Sequence, residues 1–191
     1  RWTRFENTFR NDFPPVEESY TSYTDSAAAG TTLQAGRKTA NGRLNMDWTG
    51  TEEFTPIAQI AMDQGRAAGA VSSVMVSHAT PASTIAHNVS RNNYVEIAQE
   101  MFESDLDVIM GAGHPLYDNS GNAVEPEDDG AYRFVGGPEM LERLTSEEGV
   151  NGAAFIDAKE DFEALAAGED LPGRVIGIAR AGSTLQASRE G

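Results

Sequence analysis

Short apolar runs alternate with helical patterns along most of this chain, and this alternation limits the fold more than any other feature. Runs typical of buried strands occupy residues 70–76, 107–111, 153–156 and 175–179. Helical patterns lie before and between them, at residues 55–68, 81–91, 94–101, 140–144 and 161–167. A β-α-β-α order predicts an α/β fold, with a largely parallel central sheet flanked by helices on both faces.

Three of the helical patterns predict particular helix bounds or particular core residues. The helix after Pro56 is predicted to extend to about Ala68, with Ile57, Ile60 and Ala61 on one face. The next helix is predicted to begin at Thr80-Pro81 and to carry His87 and Arg91. A third pattern has apolar residues at i, i+3, i+4 and i+7 spacing, which predicts core packing for Tyr94, Ile97, Ala98 and Met101.

Length and composition favour one globular domain. A chain of 191 residues that is 39% hydrophobic can bury a core, so residues 1–191 are predicted to belong to a single globular domain. Residues 1–18 are predicted to form a detached or rearranged arm. No apolar signal segment or membrane span is evident in the sequence.

The chain carries a strongly negative net charge. The formal net charge is −16 at pH 7, from 14 basic and 30 acidic residues. Nucleic acids and anionic membranes require a basic surface, so neither is expected as a partner. The same charge opposes an anionic substrate at long range, so capture of a phosphate would depend on local positive groups.

An Asp-Ser pair stands directly before an alanine-rich run at residues 24–30 (TDSAAAG). This pattern predicts the start of a helix, where unpaired N–H groups and the positive end of the helix dipole favour an anion. Ser26 is therefore a candidate nucleophile toward a bound phosphate. The alternative from the residues alone is that Ser26 is only an N-cap.

A second group of polar residues follows the predicted strand at residues 70–76. His78 and Thr80 come at its carboxyl end, where open α/β sheets place their sites. Arg91 could grip two phosphate oxygens through its planar guanidinium. Taken singly, Thr80 could equally be an N-cap and Arg91 a solvated charge.

Together the two segments resemble the alkaline phosphatase family. Residues 24–42 (TDSAAAGTTLQAGRKTANG) resemble its nucleophile segment, and residues 77–94 (SHATPASTIAHNVSRNNY) resemble its metal-and-arginine segment. Residues 107–113 (DVIMGAG) are similar to the strand that usually comes next. These matches follow the family's order and spacing over residues 20–118, so they are far more specific than either motif alone.

The resemblance implies a role for each site residue. Ser26 would form a phosphoserine intermediate, and its oxygen would also face a zinc ion. Arg91 would hold the phosphate, with Asp25 helping to orient it. Thr80 would offer its hydroxyl to a magnesium ion, and His78 would lie near that ion. The implied activity is hydrolysis of small-molecule phosphate monoesters at alkaline pH, with two zinc ions and one magnesium ion as cofactors.

The chain also departs from the family. The family draws its metal ligands from aspartates, a glutamate and histidines on several strands, and one aspartate normally precedes the nucleophile segment. Asp12 is the one aspartate in residues 1–23, and it lies in an unrelated context. The chain also has three histidines and no cysteine. We expect this chain to be an internal fragment that is inactive without the enzyme's remaining segments, which would be its partners.

Other interpretations stay open. A phosphodiesterase or sulfatase of the same superfamily would share the fold. Sulfatases need a Pro-x-Arg pattern that residues 26–30 lack, and diesterases often use threonine, so Ser26 and Arg91 favour a monoesterase. A non-catalytic acidic fragment that binds a ligand or a partner is the alternative from another class. The resemblance further implies a bacterial periplasmic or secreted enzyme, commonly a homodimer.

Overall fold

Four parallel strands form a sheet within residues 23–168 and 171–186, the part of the chain that the computed structural model describes. The strands lie in the spatial order β1-β2-β4-β3. Their bounds are β1 Gly69–Met75, β2 Val108–Ala112, β3 Ala154–Ile156 and β4 Val175–Ile178. The arm predicted over residues 1–18 lies outside the described residues.

Six α-helices and one 3₁₀ helix accompany the strands in the described ranges. The α-helices are α1 Ser26–Ala35, α2 Ile57–Asp63, α3 Ala79–Ala82, α4 Tyr94–Glu103, α5 Pro138–Thr145 and α6 Lys159–Ala167, and the 3₁₀ helix is Asp129–Val135. Parallel pairing requires a long crossover between successive strands. The 3₁₀ helix and helices α3 to α6 occupy these crossovers, while α1 and α2 precede β1. The predicted fold class, a parallel sheet flanked by helices, is confirmed.

The core is one cluster of buried residues to which the strands β1, β2 and β4 and the helices α1 to α5 contribute. All four residues of β4 are buried, as expected for a strand with a parallel neighbour on each side. Ile97, Ala98 and Met101 of α4 are fully buried, which confirms the predicted apolar stripe. Over the residues described, no helix combines the length and apolar character that crossing a bilayer requires.

The strand predicted at residues 70–76 exists as β1, but it is less buried than predicted. It lies at one end of the strand order, and its Val71 side chain is 72% exposed. Ala70 is the member of β1 that is buried. The apolar composition of the run could not reveal how much of each face the rest of the fold would cover.

The helix predicted over residues 55–68 is shorter than expected. Helix α2 ends at Asp63, and the chain then turns through Gly65, whose φ of 72° lies in the left-handed region that favours glycine. The face that carries Ile57 and Ile60 points toward solvent, since these side chains are 62% and 46% exposed, while Ala58 is buried.

The long helix predicted from Pro81 to Arg91 is wrong as well. Helix α3 ends at Ala82, so His87 and Arg91 are not helical. The following segment instead pairs with the chain before α2: Leu44 and Asn88 exchange both backbone hydrogen bonds, at 2.9 and 3.0 Å. This tertiary pairing uses backbone groups that a continued helix would need.

Candidate active site

The candidate nucleophile lies in the first turn of α1. The N-cap of this helix is Asp25, whose Oδ1 accepts a hydrogen bond from the Ala28 N–H at 2.9 Å. Ser26 is therefore the first helical residue rather than the N-cap. Within the described part of the chain, its hydroxyl has no hydrogen-bond partner, and its side chain is half-buried. A free hydroxyl at a helix N-terminus suits contact with an anion.

Small side chains allow α1 to approach α3 closely. Ala27 and Gly30 of α1 and Ala79 and Ala82 of α3 are all buried. A Cβ atom added to Gly30 would lie 2.7 Å from the Cβ of Ser83, just beyond α3. The alanine-rich sequence of α1 therefore serves the packing of these two helices, and this packing fixes Ser26 relative to the carboxyl end of β1.

Residues 77–80 leave β1 at its carboxyl end. The buried Ser77 hydroxyl donates to the Phe134 carbonyl at 3.1 Å, which anchors this turn to the 3₁₀ helix. His78 is the N-cap of α3 in an extended conformation, and Thr80 lies exposed in the helix itself. Both residues are therefore at the edge of the sheet where the sequence places them.

Arg91 joins the two segments. Its Nη1 lies 3.1 Å from Asp25 Oδ2, and its Nη2 lies 3.2 Å from His78 Nε2. Four predicted site residues thus belong to one group: Ser26 is the neighbour of Asp25 in the chain, and Asp25 and His78 both contact Arg91. Within the described residues, Thr80 makes no hydrogen bond with this group, although it lies two residues beyond His78.

The contact with Arg91 fixes the protonation of His78. A guanidinium can only donate, so His78 Nε2 is the acceptor and the ring proton is on Nδ1. Burial, together with the positive charge of Arg91, lowers the pKa of His78 below its ordinary value. His78 is therefore a neutral imidazole, and its buried Nδ1 has no partner among the residues described.

The turn at Asn41-Gly42 holds Asp25 from the other side. Asn41 Oδ1 accepts from the Asp25 N–H at 3.1 Å, and the Gly42 N–H donates to Asp25 Oδ2 at 3.0 Å. The sequence contained a signal for this turn, since Asn-Gly is a strong turn dipeptide. It contained no signal that the turn would meet Asp25.

The described residues do not complete a metal site by themselves. No group of three or more His, Asp or Glu side chains in residues 23–168 and 171–186 is placed to hold an ion. Thr80 exposes its hydroxyl, while His78 directs Nε2 toward a cation, Arg91. A zinc centre needs three or four good donors, so these residues alone do not fit one.

The structure contains a second charged cluster, at the carboxyl ends of three strands, that was not predicted from the sequence. His114 follows β2, Asp157 follows β3 and Arg180 follows β4. His114 Nε2 lies 3.3 Å from Asp157 Oδ2, and Arg180 donates to both oxygens of Asp157 at 3.0 and 3.2 Å. Burial lowers the pKa of His114 despite the nearby carboxylate, and Leu116 N–H donates to its Nδ1. The cluster therefore ties these strand ends together.

His87 lies in a third environment. Its Nδ1 is 2.8 Å from Glu100 Oε1 and its Nε2 is 3.0 Å from the Phe54 carbonyl oxygen. Burial would lower the pKa of His87, but the Glu100 hydrogen bond and charge, helped by the Phe54 carbonyl, outweigh it and raise the pKa. This histidine connects α4 to the segment before α2 and lies outside the Arg91 group.

Comparison with known proteins gives a consistent result. The family model described as alkaline phosphatase matches residues 8–179. Alkaline phosphatase 3 of Bacillus subtilis (strain 168) is 35% identical over 119 residues, which cover 59% of this chain and 26% of that relative. Alkaline phosphatase 4 of the same organism is 32% identical over 136 residues, covering 68% of this chain and 29% of that relative.

Solved structures agree. A cold-active alkaline phosphatase from the psychrophile Shewanella sp. superposes with a TM-score of 0.64 at 29% identity, covering 93% of this chain and 38% of that one. The enzyme from the Antarctic bacterium TAB5 gives 0.59 at 26% identity, with coverages of 87% and 42%. The chain therefore spans less than half the length of each of these proteins.

Proposed function

Because this chain belongs to the alkaline phosphatase family, we propose that it supplies the nucleophile and the phosphate-binding arginine of a phosphomonoesterase. The observation that carries the proposal is the group formed by Asp25, Arg91 and the unbonded Ser26 hydroxyl at the start of α1. It combines a nucleophile, a cation with two Nη groups and a helix N-terminus beside one another, as phosphoryl transfer requires.

We propose the following roles for these residues. Ser26 Oγ attacks the phosphorus of a bound monoester, the bond to the alcohol oxygen breaks, and the phosphoryl group is left on Ser26. Water then attacks the phosphoserine and releases inorganic phosphate. Arg91 and the first N–H groups of α1 stabilise charge on the phosphoryl oxygens that are not transferred. Asp25 orients Arg91 through the contact at Oδ2.

Two zinc ions and one magnesium ion are the cofactors we propose, on the basis of the family. This chain would contribute Ser26 Oγ, Thr80 Oγ1 and, close to the magnesium ion, His78. The other ligands would have to lie outside the described residues, because those residues do not complete a site. Residues 1–191 would then be one part of a single catalytic domain, and the chain alone would be inactive.

The proposal also covers partners and location. The family resemblance supports small-molecule phosphate monoesters as substrates, a homodimeric enzyme, and a periplasmic or secreted location in a bacterium. The acidic charge of −16 supports the absence of nucleic acid among the partners.

Hydrolysis of a chromogenic phosphate monoester at alkaline pH tests the proposal. With the enzyme's remaining segments present, we expect turnover that EDTA abolishes and that Zn²⁺ with Mg²⁺ restores, and we expect none from the chain alone. A chromogenic phosphodiester run in parallel distinguishes the sister activity, since faster diester cleavage would favour a phosphodiesterase. No turnover on either substrate with both metals and the remaining segments supplied would favour the non-catalytic acidic fragment and would contradict the proposal.

A further inference from the structure

The Asn41 side chain connects two backbone groups that lead into α1. Its Oδ1 accepts from the Asp25 N–H at 3.1 Å, and its Nδ2 donates to the Tyr23 carbonyl oxygen at 3.0 Å. A side-chain amide has an acceptor oxygen and a donor nitrogen, so it can make both hydrogen bonds at once. Asn41 therefore closes residues 23–25 onto the turn that contains Gly42.

The same turn also holds Arg91. The Gly42 N–H donates to Asp25 Oδ2 at 3.0 Å, and the Gly42 carbonyl accepts from the Arg91 backbone N–H at 2.7 Å. Asp25 Oδ2 also accepts from Arg91 Nη1. The Asn41-Gly42 turn thus contacts both partners of the Asp25–Arg91 ion pair. It binds Asp25 at the backbone N–H and at the carboxylate, and it binds Arg91 at the backbone N–H.

We propose that Asn41 is a positioning residue for phosphoryl transfer. Its two hydrogen bonds set the place of Asp25, and Asp25 in turn orients the Arg91 guanidinium toward the phosphate beside Ser26. This inference rests on the proposed function and deepens it. Among the described residues, the Asn41 side chain hydrogen-bonds to neither Ser26 nor Arg91, so it acts through Asp25.

Two variants separate the parts of this role. Asn41→Ala removes both hydrogen bonds. Asn41→Asp has nearly the same shape and keeps the acceptor for the Asp25 N–H, but it cannot donate to Tyr23 and it adds a negative charge beside Asp25. Asn92→Ala is the matched control, because Asn92 is an exposed turn residue next to Arg91 whose side chain makes no hydrogen bond within the described part of the chain.

The experiment measures kcat/KM, Tm and inorganic phosphate affinity for the metal-supplied enzyme, with its remaining segments present, and for its variants, with Asp25→Ala added alone and combined with Asn41→Ala. We expect Asn41→Ala to lower kcat/KM about tenfold, because the variant loses the free energy of two ordinary hydrogen bonds. We also expect it to bind inorganic phosphate more weakly. In the Asp25→Ala background it should cause almost no further loss, since its effect passes through that residue. Asn92→Ala should match the wild type.

Each result decides a specific point. Wild-type turnover with an unchanged Asn41→Ala variant overturns the positioning role and leaves the proposed function standing. The role is also overturned if the losses of kcat/KM in the two single variants multiply in the double variant. It is likewise overturned if the loss of kcat/KM only follows a fall in Tm, because either result indicates a general structural effect. A wild type that binds phosphate without turnover contradicts the proposed function, and weaker phosphate binding by Asn41→Ala then still supports the positioning role. A wild type that neither binds phosphate nor turns over overturns both.

Discussion

Arg91 Nη1 lies 3.1 Å from Asp25 Oδ2, although 66 positions separate the two residues in the chain. Both side chains are largely buried, with 20% and 23% of their surfaces exposed. The ion pair connects the start of α1 to the turn that precedes α4. It therefore brings the cation that would bind a phosphate next to the candidate nucleophile, Ser26.

Removing this cation should impair the proposed chemistry. We expect Arg91→Ala to lower kcat/KM by roughly two to three orders of magnitude, as loss of a transition-state donor does in other enzymes. Arg91→Lys should recover only part of that loss, because an ammonium group lacks the planar fork that contacts Asp25 and phosphate together. Steady-state kinetics on a chromogenic monoester measures both effects.

The control for this prediction is Arg143→Ala. Arg143 is an exposed arginine that pairs with Glu103 on the surface, so its replacement should leave kcat/KM unchanged. Full activity in Arg91→Lys would show that the fork geometry of Arg91 has no role in turnover.

Ser26→Ala should abolish the covalent route. We expect turnover to fall by several orders of magnitude, because no other hydroxyl takes the place of the nucleophile. Acid quenching of the wild type during turnover should trap a phosphoryl group on the peptide that contains Ser26, detectable by mass spectrometry. Ser120→Ala, in an exposed loop, is the control and should behave like the wild type. Phosphorylation that persists on this peptide in Ser26→Ala would contradict the assignment.

Close packing of α1 on α3 predicts a stability effect at Gly30. A Cβ atom there would meet both the Oγ and the Cβ of Ser83, so we expect Gly30→Ala to lower the free energy of unfolding by about 1–3 kcal/mol. Urea unfolding monitored by circular dichroism measures the change. Gly173→Ala is the matched control, since nothing lies within 4 Å of its added Cβ. It should be neutral or slightly stabilising. Equal stability of the two variants would show that Ser83 moves aside without cost.

We expect His87 to make a pH-dependent contribution to the free energy of unfolding. Its pKa is raised in the folded state above the ordinary value of 6.5, chiefly because Glu100 outweighs the effect of burial. The folded state therefore binds the proton more tightly than the unfolded state. The stabilisation is complete below about pH 6.5 and is lost as the pH rises through the folded pKa.

Urea unfolding of the wild type and His87→Ala between pH 5.5 and 9.0 tests this sign. We expect the difference in the free energy of unfolding to be largest at the acidic end and to shrink as the pH rises. Glu100→Gln should reduce that dependence, because it removes the charge that raises the pKa of His87. A difference that grows with pH would show that burial dominates and that the pKa is lowered.

Local patterns in the sequence determined the fold class and predicted which residues form the candidate site. The strand at β2 and the stripe on α4 followed from the period of their apolar residues, since each period matches one regular backbone geometry. Residues 24–30 predicted an anion site at a helix start, and the resemblance of residues 24–42 and 77–94 to the alkaline phosphatase family joined Ser26 and Arg91 in one phosphate site.

Only the tertiary structure decided how these pieces meet. The segment after Ala82 left the helical conformation because Leu44 offers its backbone groups to Asn88, and no local pattern encodes a partner so far along the chain. Asp157 reaches His114 and Asn41 reaches Asp25 for the same reason. Contacts between distant residues depend on the packing of the whole chain, so the sequence predicted which groups are present and the fold determined which of them touch.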